Sequence, residues 1–246
     1  MKPMKTVGIM QPYFLPYIGY WQLLAQVDTF IVYDNLKYTK KGWINRNRIL
    51  RNGKEAQFSI ALKSASDFSL ISQRELSNEF DRRKLLNQFK EAYARSVYFS
   101  QVFPMLEEIV LYEDNNLFAF LLNSIKKVAT FLSIDTEILV SSTIQIDHDL
   151  KGQDKVLAIC EAMAAKHYIN SIGGFELYSF DMFSARDLAL QFIRPLLKPY
   201  EQPCERFVPG LSIVDALMMV GPNGTRQQLM EFEMIDSESS NVSRNL

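Results

Sequence analysis

Two short apolar runs near the start of the chain constrain its fold most strongly. Lys5–Met10 and Thr29–Tyr33 are apolar almost throughout, and the amphipathic segment Tyr17–Gln26 separates them. Strands without alternation are typical of parallel sheets buried on both faces, and parallel neighbours need a crossover connection, which is usually a helix. We therefore predict a right-handed βαβ unit at the N-terminus, with a mostly parallel sheet built upon it.

Similar patterns predict a hairpin, a helical insertion and further α/β steps. Trp43–Leu50 and Glu55–Leu62 flank an Asn-Gly step, which favours a tight turn because both residues tolerate positive φ. Apolar residues at helical spacing predict three helices between residues 79 and 132. Later strands are expected at Thr136–Ser141, Tyr168–Ser171 and Leu188–Ile193, and later helices at Asp154–Lys166 and Ile213–Met219. Ser212 and Asp215 have capping-box spacing at the start of the last helix.

These elements predict an α/β fold with a mostly parallel sheet of nucleotidylyltransferase-like (HUP/Rossmann-like) character and a helical insert. One domain is expected over residues 1–235, with the insert at about 79–132. The chain after Glu231 is expected to be disordered, most clearly over residues 236–246, where Ser, Asn and charged residues dominate.

Composition and charge narrow the classes of partner. The net charge is −1, so the protein has no overall positive field to hold a nucleic acid. The sequence shows no signal-peptide pattern and no apolar stretch of membrane-spanning length, which predicts a cytoplasmic protein without membrane insertion. Its two cysteines and two histidines lack metal-ligand spacing, so we expect neither a disulfide framework nor a metal site.

Polar residues directly follow both strands of the first βαβ unit. Gln11 and Tyr13 come after the first strand and Asp34 after the second, at the edge where open α/β sheets bind ligands. The Gln11 amide can donate and accept at once, which makes it a catalytic candidate. Asp34 is the best candidate for a general base, because a carboxylate can accept a proton from an attacking amine. Capping of the following turn is the alternative role for Asp34.

The first helix begins with a Tyr-x-Gly-Tyr sequence. Tyr17 and Tyr20 are three residues apart, so both phenols can point towards a ligand at the helix N-terminus. Nucleotidylyltransferases and class I synthetases place His-x-Gly-His in this register, where the imidazoles steady the phosphates under attack. A phenol can hydrogen-bond to a phosphate but carries no positive charge near pH 7. Tyr17 and Tyr20 are catalytic candidates, and two core aromatic residues on an ordinary helix are the alternative.

A basic and aromatic segment follows the second strand. Its candidate ligand-binding residues are Lys40, Lys41, Trp43, Asn45, Arg46, Asn47 and Arg48. In an extended segment Arg46 and Arg48 share one face, where two planar guanidinium forks can clamp a phosphate. Trp43, Asn45 and Asn47 share the other face, and an aromatic ring with amides suits a base or a sugar. A solvated edge strand is the alternative account of the arginines.

Weaker candidates lie in the second half of the chain. Asn170, Ser171 and Gly173 follow a predicted strand, where glycine allows close backbone approach to a ligand, although a plain turn is equally consistent. Lys151 and Gly152 before a predicted helix, with Lys155 in its first turn, are a weak candidate for an anion site, and Lys155 is interpreted as a solvated surface residue. His148 lies between two aspartates and is interpreted as an exposed loop residue, with proton transfer as the alternative.

Four blocks of residues carry a resemblance to a known family. They are Gln11–Tyr20, Asp34 with Lys40–Arg48, Tyr168–Ser171 with Gly173 and Gly174, and Leu211–Asp215. Over about residues 5–221 the chain resembles the WbqC-like family, whose members are typically encoded among genes for O-antigen or capsule sugars. The residues on matching blocks are Gln11, Tyr17, Tyr20, Asp34, Lys41, Asn45 and Arg46. The resemblance implies a cytoplasmic role in building a modified sugar for a surface polysaccharide, with no catalytic assignment.

Three functions remain open. The first is N-acyl or aminoacyl transfer to a nucleotide-linked amino sugar, in which Asp34 accepts a proton, Arg46, Arg48 and Lys41 hold the diphosphate, and the helix start at Tyr17 binds a second anionic group. No resident cofactor is evident; the activated donor would be a carrier-protein or coenzyme A thioester, or an adenylate. The second is nucleotidylyl transfer to a sugar phosphate or small phosphorylated metabolite. The third is a non-catalytic module that binds nucleotide sugars or a partner enzyme.

Overall fold

A six-stranded sheet forms the centre of the protein in the computed structural model, which describes residues 4–236. The strands are β1 (Thr6–Met10), β2 (Thr29–Val32), β3 (Arg46–Arg51), β4 (Lys54–Ser59), β5 (Glu137–Val140), β6 (His167–Ser171), β7 (Ala189–Pro195) and β8 (Phe232–Ile235). Strands β5, β2, β1, β6 and β7 run parallel in that spatial order, and β8 pairs antiparallel with β7. Strands β3 and β4 form a separate hairpin. The prediction of an α/β fold with a mostly parallel sheet is confirmed.

Helices cover the sheet and form the predicted insertion. The described α-helices are α1 (Ile18–Ala25), α2 (Arg82–Tyr93), α3 (Phe99–Val110), α4 (Leu117–Phe131), α5 (Gly152–Ala162), α6 (Phe180–Ser184) and α7 (Ile213–Gln228). Helices α2, α3 and α4 lie within the predicted insert, between β4 and β5 along the chain. Across residues 4–236 none of the helices has the length and apolar character needed to cross a lipid bilayer.

Two cores, one on each face of the sheet, explain the apolar runs of the first strands. Phe30 and Val32 of β2 pack into a core shared with α1 and the insertion, whereas Ile31 packs into a core shared with α5. Every residue of β2 is buried, because both faces of the strand are covered. This is why the run shows no alternation of apolar and polar residues.

The insertion packs against the loop that follows β1. The ring of Phe14 in that loop lies 5.7 Å from the rings of Phe58 in β4 and Phe120 in α4. Phe58 in turn contacts Phe89 of α2, with ring centroids 5.0 Å apart. The insertion, the hairpin and the N-terminal loop therefore share one core, so a residue on any of them is positioned by the other two.

Several element predictions need correction. The chain after Glu231 was expected to be disordered, but Phe232–Ile235 form β8, because the exposed edge of β7 offers backbone partners to this short segment. Residues 237–246 of the expected disordered tail lie outside the described residues. The pattern also missed α6, and it ended the last helix too early, since α7 continues past a break at Gly221 to Gln228.

Asp215 does not have the capping-box role that its spacing predicted. Ser212 does cap α7, and its Oγ accepts a hydrogen bond from the backbone amide two residues on, at 3.3 Å. The fully buried Asp215 carboxylate instead accepts hydrogen bonds from the hydroxyls of Tyr93 and Tyr200, both at 2.7 Å, and from Nε2 of Gln202 at 2.8 Å. Burial, and then the carboxylate, raise the pKa of both phenols, which keeps them protonated as donors.

The order of the strands marks the place where a ligand crevice is expected. The chain passes from β1 to β2 on one side and from β6 to β7 on the other, so the connections diverge between β1 and β6. Open α/β sheets bind ligands outside the carboxyl ends of the strands at such a point. The loops after β1 and β6 lie there, and those after β2 and β5 lie at the same edge.

Candidate functional site

The Asp34 carboxylate is held in one orientation at the carboxyl end of β2. Its Oδ1 accepts hydrogen bonds from the Ser141 hydroxyl at 2.8 Å and from the Ser142 backbone amide at 3.0 Å, both at the end of β5. The side chain is nearly buried, with 7% of its residue surface exposed. Within residues 4–236 no group hydrogen-bonds to Oδ2. One oxygen therefore positions the carboxylate, and the other is left for a ligand.

A buried lysine lies beside this carboxylate. Lys155, in the first turn of α5, donates from Nζ to Oδ1 of Asn35 at 3.3 Å and to the His148 carbonyl at 3.1 Å. Burial lowers the pKa of the Lys155 ammonium, and the nearby Asp34 carboxylate opposes that shift. The interpretation of Lys155 as a solvated surface residue was wrong, because only 4% of the residue is exposed. A cation and a carboxylate thus share the edge between β2 and α5.

His148 and Asn35 complete this polar cluster. Nδ2 of Asn35 lies 2.9 Å from Nδ1 of His148, so the partly buried imidazole contacts the cluster through one ring nitrogen. The Ser141 hydroxyl also lies within hydrogen-bonding distance of Asn35, at 2.9 Å. Sequence reasoning missed Asn35 and Ser141, although Asn35 is the residue after Asp34 and Ser141 directly follows β5. The cluster can position a polar ligand and relay a proton.

Tyr17 and Tyr20 have different surroundings although they share one end of α1. The Tyr17 hydroxyl contacts the Ser171 side chain at the end of β6; burial raises its pKa and the Ser171 hydrogen bond opposes the shift. Tyr20 is fully buried and donates its hydroxyl proton to the Gln11 carbonyl at 3.2 Å. Tyr17 thus borders the expected crevice. Tyr20 instead lies in the core, which was the alternative role considered for it, and supports the loop after β1.

Gln11 and Tyr13 lie together in the loop after β1. The Tyr13 hydroxyl is 3.4 Å from Oε1 of Gln11, and the Tyr13 ring lies 5.9 Å from the Tyr20 ring. Burial raises the pKa of Tyr13, and the neighbouring Tyr17 raises it further. Both side chains are partly exposed, so this pair can still reach a ligand at the crevice.

Gly19 is required by the way the Tyr17 ring lies on the helix. A Cβ atom at Gly19 would lie 2.5 Å from Cζ and Oη of Tyr17 and 2.6 Å from Cγ of Pro195. We expect Gly19→Ala to lower the free energy of unfolding by about 1–3 kcal/mol, because the contact forces the ring or the helix to move. Chemical denaturation measures this change.

Gly173 offers a matched control for that substitution. A Cβ atom at Gly173 would have no heavy atom within 4 Å. Gly173→Ala is therefore expected to change the free energy of unfolding by less than about 0.5 kcal/mol. Equal effects of the two alanine variants would show that the close approach at Gly19 is not the cause.

The two asparagines of the basic segment make hydrogen bonds within the protein. Nδ2 of Asn47 donates to the carbonyls of Phe14 at 3.2 Å and Leu15 at 2.9 Å, which holds the loop after β1 where Leu15 has a φ of +46°. Asn45 accepts from the Tyr38 hydroxyl at 2.8 Å and donates to a carbonyl that follows β4 at 2.7 Å. These contacts give both amides a positioning role in the hairpin.

The two arginines of the segment are not equivalent. Nη1 of Arg48 is 2.6 Å from Glu55, and its guanidinium lies 5.5 Å from the centre of the Trp43 ring. Trp43 therefore does not share a face with the asparagines as predicted, because β3 begins only at Arg46. Nε of Arg46 donates to the Gly42 carbonyl at 3.0 Å, and the described chain places no carboxylate within 4.0 Å of its guanidinium. Of the two arginines, Arg46 is therefore the one whose positive charge is not neutralised by a carboxylate of the described chain.

The remaining candidates are surface lysines and the loop after β6. Lys40 pairs with Asp67 at 2.5 Å, and Lys41 is exposed. The buried Asn170 accepts a hydrogen bond from the Ser171 amide at 2.7 Å, whereas Gly173 is exposed. The structure thus brings Ser171 to Tyr17 and keeps the lysines at the rim of the hairpin.

Comparisons with known proteins show the family of the chain. The model of the WbqC-like protein family matches residues 11–227. Uncharacterized protein Rv1507c of Mycobacterium tuberculosis (strain ATCC 25618 / H37Rv) is similar at 28% identity over 223 residues, which cover 89% of this chain and 95% of that protein. No solved structure matches the chain.

Proposed function

Because the chain belongs to the WbqC-like protein family, we propose that it is a cytoplasmic transferase in the biosynthesis of surface-polysaccharide sugars of the O-antigen or capsule type. The acceptor is the amine of a nucleotide-linked amino sugar, and the transferred group is acyl or aminoacyl. The donor is an activated acyl group, carried as a thioester of coenzyme A or of an acyl carrier protein, or as an adenylate.

The fixed orientation of the Asp34 carboxylate, with one oxygen left without a partner in the described part of the chain, is the observation that supports this proposal most directly. Its Oδ1 is held by Ser141 and Ser142, and Oδ2 remains without a partner among the described residues. In the transfer, the sugar amine attacks the acyl carbon, a C–N bond forms, and the bond to the thiolate or phosphate leaving group breaks. The amine proton passes to Oδ2 of Asp34, which is general-base catalysis by a positioned carboxylate. The Lys155 ammonium, whose charge interacts with that of Asp34, would stabilise negative charge on the acyl oxygen or on the leaving group.

The architecture supports a nucleotide as part of the acceptor. Numbered along the chain within the central sheet, the strands have the order 3-2-1-4-5-6, which is the order of doubly wound nucleotide-binding sheets. This order supports the nucleotidylyltransferase-like (HUP/Rossmann-like) character of the fold. Tyr17 and Ser171 at the divergence point, with Gln11 and Tyr13 beside them, supply hydrogen-bonding groups for the nucleotide or sugar.

Nucleotidylyl transfer is the second candidate, favoured by the same strand order and by the Tyr-x-Gly-Tyr turn at the start of α1. That chemistry uses positive groups at this turn, and here the first phenol contacts Ser171 while the second is buried. The acyl-transfer proposal does not need a charge at this position, which is why it ranks first.

Ligand binding tests the proposal before any donor is known. We expect diphosphate-linked amino sugars to raise the thermal unfolding midpoint, since a ligand at 100 times its Kd stabilises a protein by about 2.7 kcal/mol. The free amino sugar should have a much smaller effect, because it lacks the diphosphate. Differential scanning fluorimetry with a panel of nucleotide sugars measures these shifts.

Turnover then separates the candidate functions. Mixtures of the stabilising nucleotide sugar with acyl thioesters or acyl adenylates are analysed by mass spectrometry, and an acylated nucleotide sugar is expected. Exchange of labelled pyrophosphate into a nucleoside triphosphate would instead support nucleotidylyl transfer. Binding without turnover on the whole donor panel would favour the non-catalytic module.

A further inference from the structure

Arg74 is a buried arginine that lacks a carboxylate partner. Only 5% of the residue is exposed, and the described part of the chain places no carboxylate within 4.0 Å of its guanidinium. Nη2 donates to the Lys63 carbonyl at 3.0 Å, whereas Nε has no hydrogen-bond partner. An arginine is rarely buried without a counter-charge, because the desolvation of its ionised group must be compensated. The missing negative charge points to a ligand.

Tyr38 connects Arg74 to the segment that contains Arg46. The Cζ atom of Arg74 lies 4.6 Å from the centre of the Tyr38 ring, and the Tyr38 hydroxyl is bonded to Asn45, the residue before Arg46. Burial raises the pKa of Tyr38, and the positive charges of Arg74, Arg46 and Lys40 oppose the shift in that order. Three cations therefore act on one phenol, and Arg74 is the one that lies against its ring.

Among these three cations, the lysine is the one that forms an ion pair within residues 4–236. Asp67 pairs with Lys40, and this hydrogen bond is the main cause of the lowered pKa of Asp67, which the charges of Lys37 and Arg74 also lower. Nε of Arg46 is engaged by the Gly42 carbonyl, and its two Nη groups have no carboxylate among the described residues. By contrast, Arg48 is paired with Glu55. The unneutralised pair is thus Arg46 with Arg74, not Arg46 with Arg48.

We propose that Arg46 and Arg74, arranged around the Tyr38 ring, form an anion site that binds the diphosphate of a nucleotide-linked ligand. Two planar guanidinium forks can each bind phosphate oxygens in a bidentate manner, and a diphosphate offers oxygens to both. This inference rests on the proposed function for the identity of the ligand. The sequence pattern predicted a clamp of Arg46 with Arg48; the proposed site instead combines Arg46 with Arg74, which lies 28 residues farther along the chain than Arg46.

Isothermal titration with inorganic pyrophosphate and with a nucleoside diphosphate tests the site. We expect Arg46→Gln and Arg74→Gln each to weaken binding about ten- to a hundredfold, the effect of losing one or two charge-assisted hydrogen bonds. Arg51→Gln is the matched control, because Arg51 is an exposed arginine of the same hairpin and pairs with Glu91. The Arg51→Gln protein should bind pyrophosphate with unchanged affinity. Arg74→Lys keeps the charge without the fork and should bind with intermediate affinity.

The buried position of Arg74 calls for a second line of evidence. Thermal unfolding identifies any variant that fails to fold, and the half-buried Arg46 provides an independent test because its removal leaves the core intact. Unchanged pyrophosphate affinity in folded Arg46→Gln and Arg74→Gln would overturn the anion site. If those variants still catalyse the transfer, the proposed function remains valid without the anion site. If pyrophosphate binding depends on both arginines but the protein shows no transfer activity, the anion site is supported and the proposed function is rejected.

Discussion

Replacement of Asp215 by alanine is expected to lower the free energy of unfolding by about 3–5 kcal/mol. The fully buried carboxylate accepts hydrogen bonds from the buried Tyr93 and Gln202 and from the partly buried Tyr200, and its removal leaves these three donors without an acceptor. Each unsatisfied donor costs about 1–3 kcal/mol, and partial relaxation keeps the total below the sum. Urea denaturation followed by circular dichroism measures the change.

Matched variants separate this network from a general effect of removing a charge. Asp135→Ala removes an exposed aspartate between α4 and β5 and should change stability by less than about 0.5 kcal/mol. Tyr93→Phe and Tyr200→Phe each remove a single hydrogen bond to the carboxylate and should cost about 1.5–3 kcal/mol. A stable Asp215→Ala protein would mean that water or a rearranged loop satisfies the three donors.

Replacement of Asp34 by asparagine is expected to reduce turnover by about 10²–10⁴-fold while leaving ligand affinity nearly unchanged. Asparagine has the same shape, and its carbonyl oxygen can still accept the hydrogen bonds from Ser141 and Ser142. The amide at the Oδ2 position cannot accept a proton from the attacking amine, so the chemical step loses its base. Steady-state kinetics of acyl transfer, with separate kcat and KM values, measure the effect.

Asp149→Asn is the control for this experiment. Asp149 is an exposed carboxylate whose charge also acts on Lys155, so its replacement removes the same charge from the same region. Near-normal turnover is expected for Asp149→Asn. Full activity in Asp34→Asn would exclude Asp34 as the base, and equal losses in both variants would indicate that only the electrostatic field at Lys155 matters.

Local sequence patterns predicted most of the elements correctly. The Asn-Gly turn of the hairpin is an example, because Asn52 and Gly53 have the expected positive φ values of +53° and +70°. Short-range geometry determines such a turn, and the two residues contain all the information it needs. The same holds for the apolar runs of β1 and β2, whose composition reflects burial on both faces. Short β8 was missed because its pairing depends on the edge of β7.

The sequence suggests candidate site residues but not their partners. Asp34 is a candidate because it directly follows a predicted strand, and parallel strands bring their ends to one edge. Its partner Ser141 is 107 residues away, so no local pattern links them. Closeness in sequence predicts Arg46 and Arg48 as a pair, yet Glu55 neutralises Arg48, and the arginine proposed to act with Arg46 is the distant Arg74.

The α/β class, the hairpin, the helical insertion and the family of the chain can all be predicted from the order of its residues. These features follow from hydrophobic periodicity, turn chemistry and motif order, which are properties of neighbouring residues. The partners of the charged side chains, in contrast, depend on how distant segments fold together. Asp215 has the spacing of a helix cap, but a tyrosine 122 residues away converts it into a buried acceptor. Charge and hydrogen-bond partners act through space, so the burial of Lys155, Arg74 and Asp215 is decided only when distant segments pack together.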